Sequence, residues 1–156
     1  MKKSNTTKNN SKNQHLGTHV IAEFFGCNKT LENAERVSEY IKAAVIQCGA
    51  TILHEKFHKF SPQGLTGYLL LAESHASIHT WPEHNYAAVD IFTCGTTINP
   101  HTAIEYLKEK LCTNDVEIKT ILRGDVYKTT EQNTKAHTAY SESTSLPSTR
   151  TRPSVS

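Results

Sequence analysis

The sequence predicts a two-layer α/β sandwich, with a largely antiparallel sheet and two helices on one of its faces. Two segments carry apolar residues at helical spacing, one beginning near Thr30 and the other near Asn99. Six short segments have the composition of strands, and those between the two helices are joined by short turns. Consecutive strands with short connections pair antiparallel, so the order β-α-β-β-β-β-α-β gives a single sheet with helices packed against it.

The first strand and the first helix occupy the beginning of the folded region. "HVIAEFFGC" (19–27) is apolar enough for a strand, and Gly26 is expected to end it. For the helix that follows, Thr30 is the expected N-cap, and Gly49 the residue just past its end. Its predicted core positions share one face of the helix and are Leu31, Ala34, Val37, Ile41, Ala44, Val45 and Cys48.

Four strands follow in the middle of the chain. "TILHEKFHKF" (51–60) and "GLTGYLLLAE" (64–73) flank the turn-forming "SPQG", and "ASIHT" (76–80) and "YAAVDIFTC" (86–94) flank "WPEHN". Each segment is rich in apolar or β-branched residues and is bounded by Gly, Pro or Asn, as strands commonly are.

The second helix begins with Asn99 as N-cap and Pro100 at its first position, since proline suits the first turn of a helix. "DVEIKTILRGDVY" (115–127) is the last predicted strand. Two helices on one face leave the other face of the sheet uncovered, so we expect a dimer that packs sheet to sheet. The predicted core positions of the second helix are Ala103, Ile104, Leu107 and Leu111.

Both ends of the chain differ from the middle. Residues 1–15 and 129–156 contain mostly small polar and charged residues, which predicts a basic and a Ser/Thr-rich disordered tail around one domain at 16–128. These tails carry seven of the 17 Lys and Arg residues but only two of the 15 Asp and Glu residues. The domain is left with ten basic and thirteen acidic residues. The domain is therefore slightly acidic and has no basic stretch with interleaved aromatics, which argues against a nucleic-acid partner. No apolar run is long enough for a signal peptide or a membrane span, so we expect a cytoplasmic protein without a membrane partner.

The four cysteines lack the Cys-x-x-Cys spacing of a metal or redox site. We expect Cys27, Cys48 and Cys112 to be small buried apolar residues. Cys94 differs because it ends the segment "AESHASIHTWPEHNYAAVDIFTCG" (72–95), which concentrates histidines, hydroxyls and carboxylates between apolar runs.

Three kinds of site could use such a segment. A metal site would need His75 and His79, but on a strand these residues are about 13 Å apart, too far for one zinc ion. A hydrolytic site has the necessary residue types, although no Gly-x-Ser-x-Gly motif is present. The third possibility is that these side chains have no role beyond ordinary surface or core hydrogen bonds. This is the usual case for a single residue, but it is a poor explanation for so dense a run of polar groups. The candidates for the hydrolytic site are Ser74, Ser77, His79, Asp90 and Cys94.

The stretch "LTGYLLLAESHASIHTWPEHNYAAVDIFTCG" (65–95) resembles the signature segment of the prokaryotic S-adenosylmethionine decarboxylases, which are pyruvoyl-dependent enzymes of polyamine biosynthesis. The similarity extends more loosely over residues 16–128, through "GTH" (17–19), the first helix and "GDVY" (124–127). The resemblance implies a proenzyme that cleaves itself between Glu73 and Ser74 into chains 1–73 and 74–156. Ser74 then becomes the pyruvoyl group, whose ketone accepts the amine of the substrate and replaces pyridoxal phosphate; no metal is implied.

The same resemblance assigns roles to individual residues. His79 matches the processing residue, and Thr66 matches a hydroxyl-bearing position that assists it. Cys94 matches the proton donor of the decarboxylation, Phe60 a residue that stacks on adenine, and Glu83 a carboxylate that binds the ribose. The site is expected between two protomers of a homodimer, or a larger assembly, that binds S-adenosylmethionine. His75 and Ser77 receive no role.

Rival functions remain open at the level of sequence. A pyruvoyl-dependent arginine decarboxylase on the same scaffold would cleave itself in the same way and differ only in substrate. A binding module or an inactive regulatory subunit would be expected to lack Ser74, His79 or Cys94, and all three are present. A metallohydrolase is the remaining alternative.

Overall fold

The computed structural model describes residues 15–95 and 97–125, which contain six strands and two α-helices. The sheet has the order β2-β3-β4-β5-β1-β6, and its strands are antiparallel, with the helices on one side. The predicted fold class is therefore confirmed, and the elements from His15 to Gly124 form one compact unit. The elements in chain order are β1 (His15–Phe25), α1 (Ala34–Gln47), β2 (Ile52–Lys59), β3 (Leu65–Leu71), β4 (Ser74–Trp81), β5 (Tyr86–Cys94), α2 (Pro100–Lys110) and β6 (Asp115–Asp125), with short 3₁₀ turns at Lys29–Glu32 and Pro82–His84.

Alternation along the central strands separates a helix-covered face of the sheet from an open face. In β5, Ala87, Val89 and Ile91 are buried in the core, whereas Asp90 and Phe92, which alternate with them along the strand, point to the opposite side and are only partly buried. The registers of β3, β4 and β5 keep this alternation in step across the sheet. Side chains of even-numbered residues in β3 and odd-numbered residues in β4 therefore share the open face.

The core lies between the sheet and the two helices. Val37, Ile41 and Val45 of α1 and Ile104 and Leu107 of α2 are fully buried against the apolar face of the sheet. Removing this apolar area from water is the main favourable contribution to folding. The predicted core stripes of both helices are confirmed.

The first helix begins later than predicted. Asn33, rather than Thr30, caps α1, because its side-chain oxygen accepts the backbone N–H of Arg36 at 2.9 Å. Thr30 lies in the preceding 3₁₀ turn, where its own N–H donates to the side chain of Asn28 at 3.0 Å. Asparagine caps at least as well as threonine does, so the two asparagines that flank Lys29–Glu32 split one expected helix into two elements.

The other predicted helix ends agree with the structure. Gly49 follows the C-cap of α1 with φ +95°, a conformation that glycine adopts without steric cost. Asn99 caps α2 through the backbone N–H of His101 at 3.1 Å, and Pro100 occupies the first helical position.

The cysteines follow the prediction in two of three cases. Cys27 and Cys48 are buried, and burial raises the pKa of the Cys27 thiol to about 11, which keeps this thiol protonated and unreactive. Cys112 is exposed, contrary to the prediction, because it follows α2 in a left-handed conformation with φ +52° that takes it off the apolar face.

Both predicted tails lie outside the described residues, except that His15 already belongs to β1. The predicted last strand extends to residue 127, and its final two residues also fall outside the described ranges. Within the described ranges, no helix has the length and apolar character needed to cross a membrane.

The packing of α2 against the sheet predicts a large difference between two helical apolar residues. Leu107→Ala removes a fully buried side chain and should cost about 2–5 kcal/mol of unfolding free energy, because the cavity does not collapse completely. Ile46→Ala in α1 is the matched control, since Ile46 is 60% exposed and its replacement should change stability by less than about 0.5 kcal/mol. Urea unfolding of both variants in a Ser74→Ala background, which should keep the chain intact, measures the difference; equal losses would contradict the assigned core.

Candidate active site

The expected cleavage point lies at a tight turn between β3 and β4. Leu71 pairs directly with Ser74, so Ala72 and Glu73 form a two-residue hairpin connection. Two hydrogen bonds hold this turn against the residue before β2: the Ala72 N–H donates to the Thr51 carbonyl at 2.9 Å, and the Thr51 N–H donates to the Glu73 carboxylate at 3.1 Å. The turn is thus fixed from both its backbone and its side chain.

The peptide bond between Glu73 and Ser74 is held in an unusual geometry. The Glu73 carbonyl accepts the backbone N–H of Cys94 at 2.9 Å, which orients this carbonyl and polarises it. Ser74 has φ +156°, a value that residues other than glycine rarely adopt. Such conformations typically cost of the order of 1–3 kcal/mol and concentrate at functional sites.

Ser74 and Cys94 meet at the same end of the sheet. Ser74 pairs with Thr93, the neighbour of Cys94, and its Oγ lies 3.2 Å from Nδ1 of His75. Cys94 is the last residue of β5, and its side chain is exposed. We call Glu73, Ser74, His75 and Cys94 the cleavage cluster.

His79 belongs to a second site, farther along β4. Its Nδ1 lies 2.9 Å from Oγ1 of Thr66, the directly opposite residue of β3. Both line a cavity of about 260 Å³, which we call the His79 pocket. Its lining residues are Phe60, Gln63, Gly64, Thr66, His79, Thr80, Trp81 and Glu83.

The His79 pocket combines aromatic surfaces with one carboxylate. Phe60 and Trp81 are 49% and 40% exposed, so their rings remain open to a ligand. Glu83 lies in the 3₁₀ turn after β4 and accepts a hydrogen bond of 3.4 Å from Gln63. His58 packs edge-on against Phe60, with ring centroids 4.7 Å apart, and fixes one wall. This lining suits a flat heterocycle that carries hydroxyl groups and a positive charge.

Aromatic residues continue from the pocket across the open face. Trp81 contacts Tyr86 with ring centroids 5.3 Å apart, and Tyr86 stacks on Phe25 at the same separation. The Tyr86 hydroxyl donates to the carboxylate of Glu23; burial, reinforced by this carboxylate, raises the pKa of Tyr86 to about 12. The tyrosine therefore stays neutral at any physiological pH, as a structural hydrogen-bond donor.

The structure separates the predicted site residues into two groups. Glu73, Ser74 and Cys94 lie in the cleavage cluster, whereas Phe60, Thr66, His79 and Glu83 line the His79 pocket. Five residues along a strand correspond to roughly 16 Å, so Ser74 and His79 of one protomer are far apart.

Sequence reasoning missed several residues around these groups. Trp81 and Gln63 line the His79 pocket, and Trp81 could have been found from its place two residues before Glu83. His19, in "GTH", has its Nε2 3.5 Å from Asp90 Oδ1, outside hydrogen-bond geometry but close enough for attraction when the imidazole is charged. Within residues 15–95 and 97–125, no three His, Cys, Asp or Glu side chains converge as metal ligands would.

Comparisons with known proteins show the family to which the chain belongs. Residues 18–124 match the model of a family described as S-adenosylmethionine decarboxylase. The S-adenosylmethionine decarboxylase proenzyme of Thermosipho africanus is 47% identical over 110 residues, which cover 70% of this chain and 85% of the relative. The proenzyme of the same name from Methanococcus aeolicus is 48% identical over 114 residues, covering 72% and 97%.

A solved structure shows the same fold. The crystal structure of the adenosylmethionine decarboxylase from Aquifex aeolicus superposes with a TM-score of 0.67 at 35% sequence identity, and it covers 71% of this chain and 92% of its own. The residues matched by the family model make up more than half of the chain and contain both the cleavage cluster and the His79 pocket. The chain therefore belongs to the S-adenosylmethionine decarboxylase family.

Proposed function

We propose that this chain decarboxylates S-adenosylmethionine to S-adenosyl 3-(methylthio)propylamine and carbon dioxide, using a pyruvoyl group that it makes from Ser74. The product is the aminopropyl donor for spermidine biosynthesis. One observation carries the proposal beyond family membership: the Glu73 carbonyl accepts the Cys94 N–H at 2.9 Å, next to a serine with φ +156°. A backbone amide aimed at a carbonyl oxygen is what a reaction through a tetrahedral oxyanion requires.

Self-cleavage begins with an acyl shift. Ser74 Oγ attacks the Glu73 carbonyl carbon, the oxyanion is held by the Cys94 N–H, and the bond from this carbon to the Ser74 nitrogen breaks. The products are an ester at Oγ and a free amine. Relief of the strained Ser74 backbone favours this step, since the peptide bond that enforces the strain is the one that breaks.

The second stage removes the ester. A base takes the Ser74 α-proton, the bond from Cβ to Oγ breaks, and Glu73 leaves as a free carboxylate. The dehydroalanine that remains tautomerises, adds water and loses ammonia, which gives a chain beginning with a pyruvoyl group at position 74. The elimination needs an oxygen on Cβ, so the serine at the exit of the hairpin is a suitable precursor of the pyruvoyl group.

His79 is the proposed base, and it acts from a second protomer. Within one protomer it lies roughly 16 Å along β4 from Ser74, too far for direct proton transfer. Apolar side chains on the open face support a homodimer that packs sheet to sheet, because both helices cover the opposite face and leave these residues in water. The exposed apolar residues of this face include Phe25, Tyr68, Leu70 and Trp81.

The substrate then binds between a cleavage cluster and the partner's copy of the His79 pocket. Adenine stacks on Phe60, and the sulfonium is attracted to aromatic faces such as Trp81. Glu83 accepts hydrogen bonds from the ribose hydroxyls, each contributing roughly 1.5–3 kcal/mol because the acceptor is charged.

The pyruvoyl carbonyl supplies the electron sink for loss of carbon dioxide. Cys94 delivers the proton to the substrate Cα; it follows Thr93, the residue opposite Ser74, and its exposed thiol supports this role. The relatives described above are named for S-adenosylmethionine, so the arginine decarboxylase alternative is not favoured.

The cleavage chemistry predicts a sharp difference between two serines of β4. Wild-type protein should separate into chains 1–73 and 74–156, the second with a blocked N-terminus, whereas Ser74→Ala should stay intact because no Oγ is left to attack. Ser77→Ala is the control: Ser77 donates to Asp90 at 3.3 Å, away from the turn, and its loss should leave cleavage unchanged. Mass spectrometry under denaturing conditions measures both; cleavage at this bond in Ser74→Ala would disprove the mechanism.

The two-protomer arrangement predicts complementation between inactive variants. His79→Ala and Ser74→Ala should each fail to mature alone. When the two are co-expressed, the mixed dimer has one site with an intact Ser74 and an intact partner His79. The cleaved chain should then carry the His79→Ala substitution, which mass identifies. An absence of cleaved chain in isolated mixed dimers would show that His79 acts within its own protomer or not at all.

The proposed proton donor predicts unequal effects at two exposed cysteines. Processed wild type should release carbon dioxide from S-adenosylmethionine and not from arginine, without added metal or pyridoxal phosphate. Cys94→Ala should mature but decarboxylate about 10²–10⁴-fold more slowly, the usual contribution of a general acid. Cys112→Ala, also an exposed thiol but at the end of α2, should keep the wild-type rate. Release of labelled carbon dioxide measures all three, and a loss below about tenfold in Cys94→Ala would remove the thiol from the mechanism.

A further inference from the structure

His75 is the histidine nearest to the residue that starts self-cleavage, yet the family resemblance gives it no role. Its Nδ1 lies 3.2 Å from Oγ of Ser74, whereas Nδ1 of His79 is engaged by Thr66 in a different part of the sheet. We propose that His75 accepts the hydroxyl proton of Ser74 in the first step, and that His79 serves only the later elimination. This inference rests on the proposed function, because it concerns the order of events at the same peptide bond.

The contact has the geometry of a proton transfer. With its own proton on Nε2, the His75 ring presents Nδ1 as an acceptor to the Ser74 hydroxyl, and the separation allows a direct hydrogen bond. The Cys94 N–H holds the carbonyl that this oxygen attacks. One protomer therefore contains a proton acceptor for the nucleophile and a donor for the oxyanion, and it needs no partner for the first step.

The surroundings of His75 restrict its ring. Phe92, directly opposite on β5, contacts it edge-on with centroids 5.7 Å apart, and His19 of β1 lies at 6.4 Å in a similar arrangement. The Arg123 guanidinium covers the ring of Phe92 at 4.9 Å and supports it from β6. Packing between these rings limits rotation of the imidazole, so Nδ1 stays directed at Ser74.

The proton balance of the step needs no further reactant. As the bond from Oγ to the Glu73 carbonyl carbon forms, the Oγ proton moves to Nδ1 of His75 and the carbonyl electron pair moves onto oxygen. As the bond from that carbon to the Ser74 nitrogen breaks, the proton passes from His75 to this nitrogen and the carbonyl re-forms. The imidazole is regenerated, and the proton has moved from oxygen to nitrogen.

Separating the two steps between two histidines has a physical reason. His75 and His79 are four residues apart on β4, roughly 13 Å, so neither can reach the other's proton within a protomer. The first proton sits on the side-chain oxygen of Ser74 and the second on its Cα. Two bases approaching from two directions serve these atoms better than one base that would have to move between them.

The two histidines should be distinguishable by where the reaction stops. His79→Ala should accumulate the ester, which neutral hydroxylamine cleaves into two chains. His75→Ala should form the ester about 10²–10⁴-fold more slowly than wild type, as expected for loss of a general base, and stay intact in hydroxylamine. Added imidazole should restore part of the rate in His75→Ala, because it can occupy the vacated space. Denaturing mass spectrometry over time, with and without hydroxylamine, follows each species.

A second variant separates proton transfer from simple hydrogen bonding. His75→Asn keeps an acceptor oxygen near the position of Nδ1 but cannot hold a proton, so it should be as slow as His75→Ala. Wild-type rates in His75→Asn, or a hydroxylamine-sensitive ester in either His75 variant, would overturn the proposal while leaving the proposed function intact. A wild-type chain that never cleaves at Ser74 would overturn both. Circular dichroism of the His75 variants confirms that the sheet is formed, and rescue by imidazole tests the proton transfer independently of small changes in stability.

Discussion

The hydrogen bond from the Cys94 N–H to the Glu73 carbonyl is the interaction on which the rest of the site depends. It joins the end of β5 to the two-residue turn between β3 and β4, so three strands meet at one peptide bond. Their antiparallel registers bring Ser74 opposite Thr93 and leave Cys94 to reach the turn. A shift of one residue in either register would move every side chain to the other face and separate the groups of the cleavage cluster.

Cys94 contributes twice in the proposed mechanism, once through its backbone and once through its side chain. Its N–H stabilises the oxyanion during maturation, and its thiol serves as the proton donor during turnover. The two uses do not conflict, because the amide is engaged by the Glu73 carbonyl while the side chain is exposed. A substitution at this position therefore removes only the second function, which makes the residue suitable for separating maturation from catalysis.

The open face of the sheet gives the second constraint. Thr66, His79 and Trp81 share this face with Phe25, Tyr68 and Leu70, so the His79 pocket and the exposed apolar surface are continuous. In the proposed dimer, the same packing that buries the apolar surface carries the pocket to the partner's cleavage cluster. Maturation would then be coupled to assembly, and a monomer would form the ester without completing the elimination.

Much of this protein was determined by local features of its sequence. Periodicity predicted both helices, because the spacing of apolar residues reflects which face each element buries. Short turns predicted the antiparallel pairing of consecutive strands, whereas the sequence made no prediction for the positions of β1 and β6 in the sheet. The resemblance predicted Glu73, Ser74 and Cys94 of the cleavage cluster, and Phe60, Thr66, His79 and Glu83 of the His79 pocket. It gave no place to His75, Gln63 or Trp81. Local competition explains the misplaced start of α1, where Asn28 and Asn33 both act as caps, and the exposure of Cys112, which depends on one left-handed residue.

Only the tertiary structure decided how the site residues are grouped. The sequence places Ser74 and His79 five residues apart, but an extended strand turns that spacing into a long separation, while the register brings Cys94 beside the turn from twenty residues away. The tertiary structure also brings Nδ1 of His75 within 3.2 Å of Oγ of Ser74, although the sequence assigned His75 no role. Pairing between strands depends on contacts between residues that are distant in the chain. Local sequence patterns therefore do not determine which backbone amide will face which carbonyl.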